Sequence, residues 1–156
     1  MRTTIILLIA ITLLPISSCR KNANSHQFNK NELQISISTR SGWCAGGDSL
    51  TLGVRTTVYL HQKKCTDDFI PETLATNSSD WSELISLLDI DKFNNLNLDE
   101  CGACYDGTDF TVTIKQRSFN HSIRFDKLNE PKLGELKPFA DKLIEIRNQY
   151  KKQFIE

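Results

Sequence analysis

Residues 49–60, SLTLGVRTTVYL, are the stretch on which the fold turns. They are rich in β-branched side chains, and Leu50, Leu52, Val54, Val58 and Leu60 share one parity. That alternation reads as one long, half-buried strand. Gly53 within it reads as a bulge or a close backbone approach. Just upstream, residues 33–39 (LQISIST) alternate in the same way. The segment between them, residues 41–48 (SGWCAGGD), is rich in turn formers. The two strands are therefore expected to form a hairpin.

Working outward, residues 61–77 read as a loop, with Asp67-Asp68 and Pro71 in it. Ser79 or Asp80 then fits a helix N-cap, with Glu83 completing a capping box on Asp80. Trp81, Leu84, Ile85, Leu88 and Phe93 form a helical stripe, so a helix is expected over about 80–90, with 91–96 adding a turn. Residues 99–107 (DECGACYDG) make a second turn-rich loop bearing cysteines. Phe110, Val112 and Ile114 alternate as a strand, residues 118–120 turn it, and Ile123 and Phe125 bring it back. Leu136, Phe139, Ala140, Leu143, Ile146 or Arg147, and Tyr150 mark a last amphipathic helix, with Pro138 in its first turn. The expected fold is α+β in the order ββαββα: a four-stranded antiparallel sheet with two helices packed on one face. Its core is expected to hold Leu84, Leu88, Phe110, Val112, Ile123, Phe139 and Leu143.

The N-terminus reads differently. Met1-Arg2-Thr3-Thr4 is a short basic start, residues 5–14 are uncharged and nearly all apolar, and Pro15-Ile16-Ser17-Ser18-Cys19 closes the run with small residues. This is the pattern of a secretory signal peptide over residues 1–18. The apolar run is shorter than the roughly 20 residues that a membrane-spanning helix needs. Ile16-Ser17-Ser18-Cys19 resembles the bacterial lipobox, and the following domain resembles small bacterial lipoproteins without a described function. The resemblance implies cleavage before Cys19 and acylation of that cysteine, so that the lipid is the protein's contact with the membrane. Arg20 and Lys21 replace the aspartate of the inner-membrane retention signal, which implies an outer-membrane anchor facing the periplasm. Residues 19–32 then form the lipidated cysteine and a polar tether, and residues 33–156 a single domain.

The chain has 19 basic and 19 acidic residues, a balance that gives nucleic acid nothing to be drawn to. With Cys19 assigned to lipid, Cys44, Cys65, Cys101 and Cys104 read as two disulfides of an exported domain. If the helix from Asp80 runs back along the long strand, it carries the 101–104 loop to the end where Cys44 lies. Cys44 is then expected to pair with Cys101 or Cys104, and Cys65 with the other. Cys101-Gly102-Ala103-Cys104 also has the spacing of half a zinc site and of a thioredoxin-type redox pair. In the redox enzymes, however, the pair follows a strand and opens a helix, whereas here it follows a helix and runs into a strand.

Asp99, Glu100, Asp106 and Asp109 crowd one loop, but not in the order of an EF-hand. His26, His61 and His121 have no recognisable nucleophile or orienting partner. Trp43, in a glycine-rich loop, reads as a ring packed on a neighbouring disulfide, or else as an exposed binding anchor. No catalytic residue, metal or cofactor is assigned, and the chain is not expected to be an enzyme. The expected function is a binding module of the cell envelope that meets an envelope protein through two loops. Trp43, Asp48, Tyr105 and Asp106 are the candidate contact residues. The alternative is a thiol–disulfide or metal-handling protein acting through Cys101 and Cys104.

Overall fold

A computed structural model describes residues 29–43, 46–117 and 119–155. The signal peptide, the lipobox with Cys19, most of the tether with His26, and Cys44 lie outside the described residues. Among the described residues, no helix is long and apolar enough to cross a membrane.

The strands are β1 (Gln34–Ser41), β2 (Gly47–Gly53), β3 (Thr56–Gln62), β4 (Ile70–Ala75), β5 (Thr108–Gln116) and β6 (Phe119–Phe125). Two helices, α1 (Ser78–Leu87) and α2 (Ile90–Asn95), lie between β4 and β5, and the long α3 (Lys137–Phe154) ends the domain. All six strands form one sheet in the order β4-β3-β2-β1-β5-β6, with every neighbouring pair antiparallel. The α+β class holds. The four-stranded sheet with two helices does not, because the described residues form a six-stranded sheet and three α-helices.

Two misreadings account for the extra strands. Residues 49–60 are a hairpin, with Leu52 paired to Thr57 and the turn at Val54-Arg55. Neither turn residue has a positive φ, so the turn lacks the Asn-Gly type of signature that marks most two-residue hairpins. It is held from a distance: Thr76 donates its amide to Arg55 O at 3.0 Å and its hydroxyl to Gly53 O at 2.7 Å. The turn also reverses the facing of everything after it. Leu50 now opposes Tyr59 on the core side, and Val58 and Leu60 go to the open side. The second misreading is β4, taken for loop. None of its residues is buried, so it carries little of the alternation that burial imposes on a strand.

The other elements lie close to expectation. Ile35, Ile37, Leu50, Leu52, Tyr59, Phe110, Val112, Ile114, Ile123 and Phe125 share one face of the sheet and are buried there. Trp81, Leu84 and Ile85 of α1, Phe93 of α2, and Phe139, Leu143 and Ile146 of α3 complete this core. Leu88, expected in the core, is only half-buried. The cap of α1 is neither Ser79 nor Asp80. Asn77 takes that place, its side-chain oxygen accepting the amides of Ser79 (2.9 Å) and Asp80 (3.2 Å). Lys142 of α3 ties the helices together through Glu83 (2.9 Å) and Asp80 (3.4 Å) of α1.

The two edges of the sheet are finished differently. At β6, Arg124 donates its amide to Leu98 O (2.8 Å) and accepts that of Glu100 (2.9 Å), so residues 98–100 cover the ladder. At β4, the bond from Thr76 to Arg55 sets the alternation of the ladder. Ile70, Glu72 and Leu74 turn their amides toward β3, and Pro71, Thr73 and Ala75 turn outward. Pro71 therefore removes a donor from the open edge at no cost to the β3 pairing.

Candidate functional site

One end of the sheet collects the β1–β2 loop, the β3–β4 loop and residues 101–107, because β1 and β3 stop there while β2, β4 and β5 begin. The loops pack on one another. Gly42 donates its amide to Gly107 O at 3.2 Å, and a Cβ on Gly42 would stand 2.7 Å from Ala103 O. Gly46 has a φ of +84°, and a Cβ there would stand 2.4 Å from Gln62 O. Both contacts require glycine, which is why the turn-rich composition of residues 41–48 was informative.

Residues 101–107 form a tight knot. Cys101 is disulfide-bonded to Cys104, with their Cα atoms 5.4 Å apart. Tyr105 and Gly107 both donate amides to Gly102 O at 2.9 Å, and Asp106 sits at a φ of +64°. Ala103 donates its amide at 3.0 Å to the buried carboxylate of Asp109. Cys65 is disulfide-bonded too, its partner lying outside the described residues. The expected pairing of Cys44 and Cys65 with Cys101 and Cys104 is therefore corrected. It rested on the 101–104 loop meeting Cys44, with Cys65 carried back along its long loop. The extra hairpin supplies a third loop beside Cys65, and the 101–104 loop closes on itself.

The four candidate contact residues part company. Trp43 is 76% and Tyr105 88% exposed, so Trp43 is not packed on a disulfide but stands free. Asp106 is exposed beside Tyr105. Asp48 is buried, and its role is structural. Arg147 of α3 grips it at both oxygens, the Nε bond being 2.7 Å long. Thr39 Oγ1 donates to Oδ1 at 3.0 Å and Tyr59 Oη to Oδ2 at 3.3 Å. Burial raises the Tyr59 phenol well above its ordinary value, and the Asp48 charge adds to the rise.

Two residues that sequence reasoning left in a loop join the exposed pair. Phe69 is 50% and Ile70 46% exposed. With Trp43 and Tyr105 they are all the exposed large apolar side chains among the described residues, and all four sit at this one end. The available signal was the pair Phe69-Ile70 directly after Asp67-Asp68, an apolar step in a polar segment. Two clefts open beside them. One, of about 550 Å³, is lined by Thr39, Ser41, Tyr105, Thr108, Arg147 and Lys151. The other, of about 760 Å³, runs past Arg40, Gln62, Cys65, Phe69 and Cys104.

The remaining candidates have local duties. Asp99 pairs with Arg124 at 2.7 Å, and Glu100 with Lys132. Among the described residues, no group of three or more His, Cys, Asp or Glu is placed to hold a metal ion. His61 is buried and stacked on Tyr59, and His121 Nε2 lies 2.9 Å from Leu96 O. The chain matches no protein-family model and no curated protein.

Proposed function

We propose that this chain is a binding module of the bacterial cell envelope, lipid-anchored through Cys19, that holds an envelope protein against the loop end of its sheet. The observation that carries the reading is the gathering of Trp43, Phe69, Ile70 and Tyr105 at that end. Exposed aromatic side chains in one patch are the usual anchors of protein interfaces. Backbone hydrogen bonds and glycine contacts hold the loops in place before any partner arrives, which lowers the ordering cost of association.

Photo-crosslinking tests it. A crosslinking side chain placed at Trp43 or Tyr105 should give a discrete adduct in whole cells, weakened when the other aromatic residue is alanine. The same probe at Arg55, at the far end of the sheet, should give none. Equal adducts from both ends would sink the proposal. Truncating the two exposed rings should leave folding stability within about 0.5 kcal/mol of the parent, which urea unfolding checks.

A second reading draws on one specific observation. Cys101 and Cys104 are bonded to each other rather than to distant cysteines, as in a thiol–disulfide couple. The same end of the sheet would then handle thiols.

A further inference from the structure

We infer that the Cys101–Cys104 bridge is an exchange site for thiols, with Cys104 as the sulfur an incoming thiolate attacks. The inference rests on the second reading above and goes further, because it assigns the attacked and the leaving sulfur.

Access distinguishes the two. Both cysteines line the larger cleft, but Cys104 is exposed there while Cys101 is half-buried. Exchange proceeds by attack of a thiolate on a reachable sulfur, through a mixed disulfide. The bridge also spans only three positions of sequence, so it restrains the unfolded chain far less than one closing tens of residues. Folding has little stake in it.

The loop does not need the bond to keep its shape. Four amides hold it: Ala103 to Asp109, Tyr105 and Gly107 to Gly102, and Gly42 to Gly107. Gly102 lies so close beneath Asp126 that a Cβ would stand 2.8 Å from that side chain's own Cβ. These contacts remain when the sulfurs part, so the opened pair stays poised to close again.

The thiolate of a dithiol attacks Cys104 Sγ. The S–S bond breaks, and its electron pair leaves on Cys101 Sγ, which takes a proton from water. The mixed disulfide on Cys104 is then attacked by the second thiolate of the same dithiol. Cys104 departs as thiolate and is protonated in turn. One dithiol is oxidised to a disulfide, and the Cys101–Cys104 bridge is reduced to two thiols. The reverse sequence reduces a partner's disulfide to a dithiol and re-forms the Cys101–Cys104 bridge.

The test uses full-length protein extracted from membranes in mild detergent and exposed to rising glutathione, with acid quenching and peptide mapping. The bridge should open while circular dichroism stays native and the Cys65 bridge stays intact, and glutathione in the wild type should be found on Cys104. With oxidised glutathione as the donor, the Cys104 thiol of Cys101→Ser should form the mixed disulfide about tenfold faster than the Cys101 thiol of Cys104→Ser. Glutathione found on Cys101, or equal rates in the two variants, would overturn the assignment and leave the second reading standing. A bridge that opens only when the fold is lost would overturn both. The wild-type mapping decides the matter even if one variant fails to fold.

Discussion

Arg147 shows how one side chain can tie the loop end of the sheet to another layer of the fold. It reaches from α3 to Asp48 at the start of β2 and to Thr39 in β1 (3.2 Å), tying the helix layer to the strands that carry the β1–β2 loop. Removing one member of a buried ion pair leaves the other charge uncompensated. Arg147→Met should therefore cost about 3–5 kcal/mol in urea unfolding, and Asp48→Leu combined with Arg147→Met should cost less. Tyr59, bonded to the same carboxylate, offers a pH test. Its folded-state phenol is raised above the ordinary value of 10.0, so its contribution is complete below that pH and is lost as pH climbs through the raised value. On alkaline titration, one phenolate step should coincide with unfolding, and Tyr59→Phe should lack that step. A step that instead precedes unfolding would contradict the burial argument. At this scale the sequence was legible only in part: Tyr105 reads as a contact residue and is exposed, while Trp43 reads first as packed on a disulfide and is exposed instead. Asp48 was misjudged because its partner lies 99 positions away, a separation that a single sequence does not reveal.

Among the elements, those with a covered face were readable and those without one were not. α3 shows a clear apolar stripe because Phe139, Ala140, Leu143 and Ile146 all press on the sheet. β5 alternates cleanly for the same reason. The β2–β3 hairpin was missed because its turn is stabilised by Thr76, an element away, rather than by its own residues. β4 was missed because none of its residues is buried, and as an edge strand it is also the element with most to lose from exposure. Its outward positions offer the amides of Thr73 and Ala75 to any passing strand, and Pro71 withholds a third. Pro71→Thr restores that donor and adds a β-branched side chain. It should leave stability within about 0.5 kcal/mol but promote self-association, visible by light scattering. A variant as monodisperse as the parent would show that the edge is guarded some other way.

For the molecule as a whole, the decisive relation is between where the described chain begins and where the aromatic residues gather. Asn29 accepts a hydrogen bond from Gln116 (2.9 Å), Glu32 pairs with Arg117, and Leu33 is buried, all at the β5–β6 turn. The loop end lies the length of β1 away, about 25 Å at some 3.3 Å per residue. In the proposed arrangement, with a lipid on Cys19, the chain enters the sheet at the end opposite Trp43 and Tyr105. The anchor itself has a direct check: Cys19→Ser should abolish labelling by a palmitate analogue and leave an uncleaved precursor. Persistent labelling would remove the envelope address. The position of β1 has one more consequence, a mechanical one. Any tension between membrane and captured partner passes through this strand, which is paired along its length to β2 on one side and β5 on the other. Those hydrogen bonds lie across the direction of pull, so the load falls on both ladders in shear and on all their rungs together. A strand pulled across its own axis, along the hydrogen bonds, would unzip one rung at a time. A partner held as proposed would hang from the middle of the sheet.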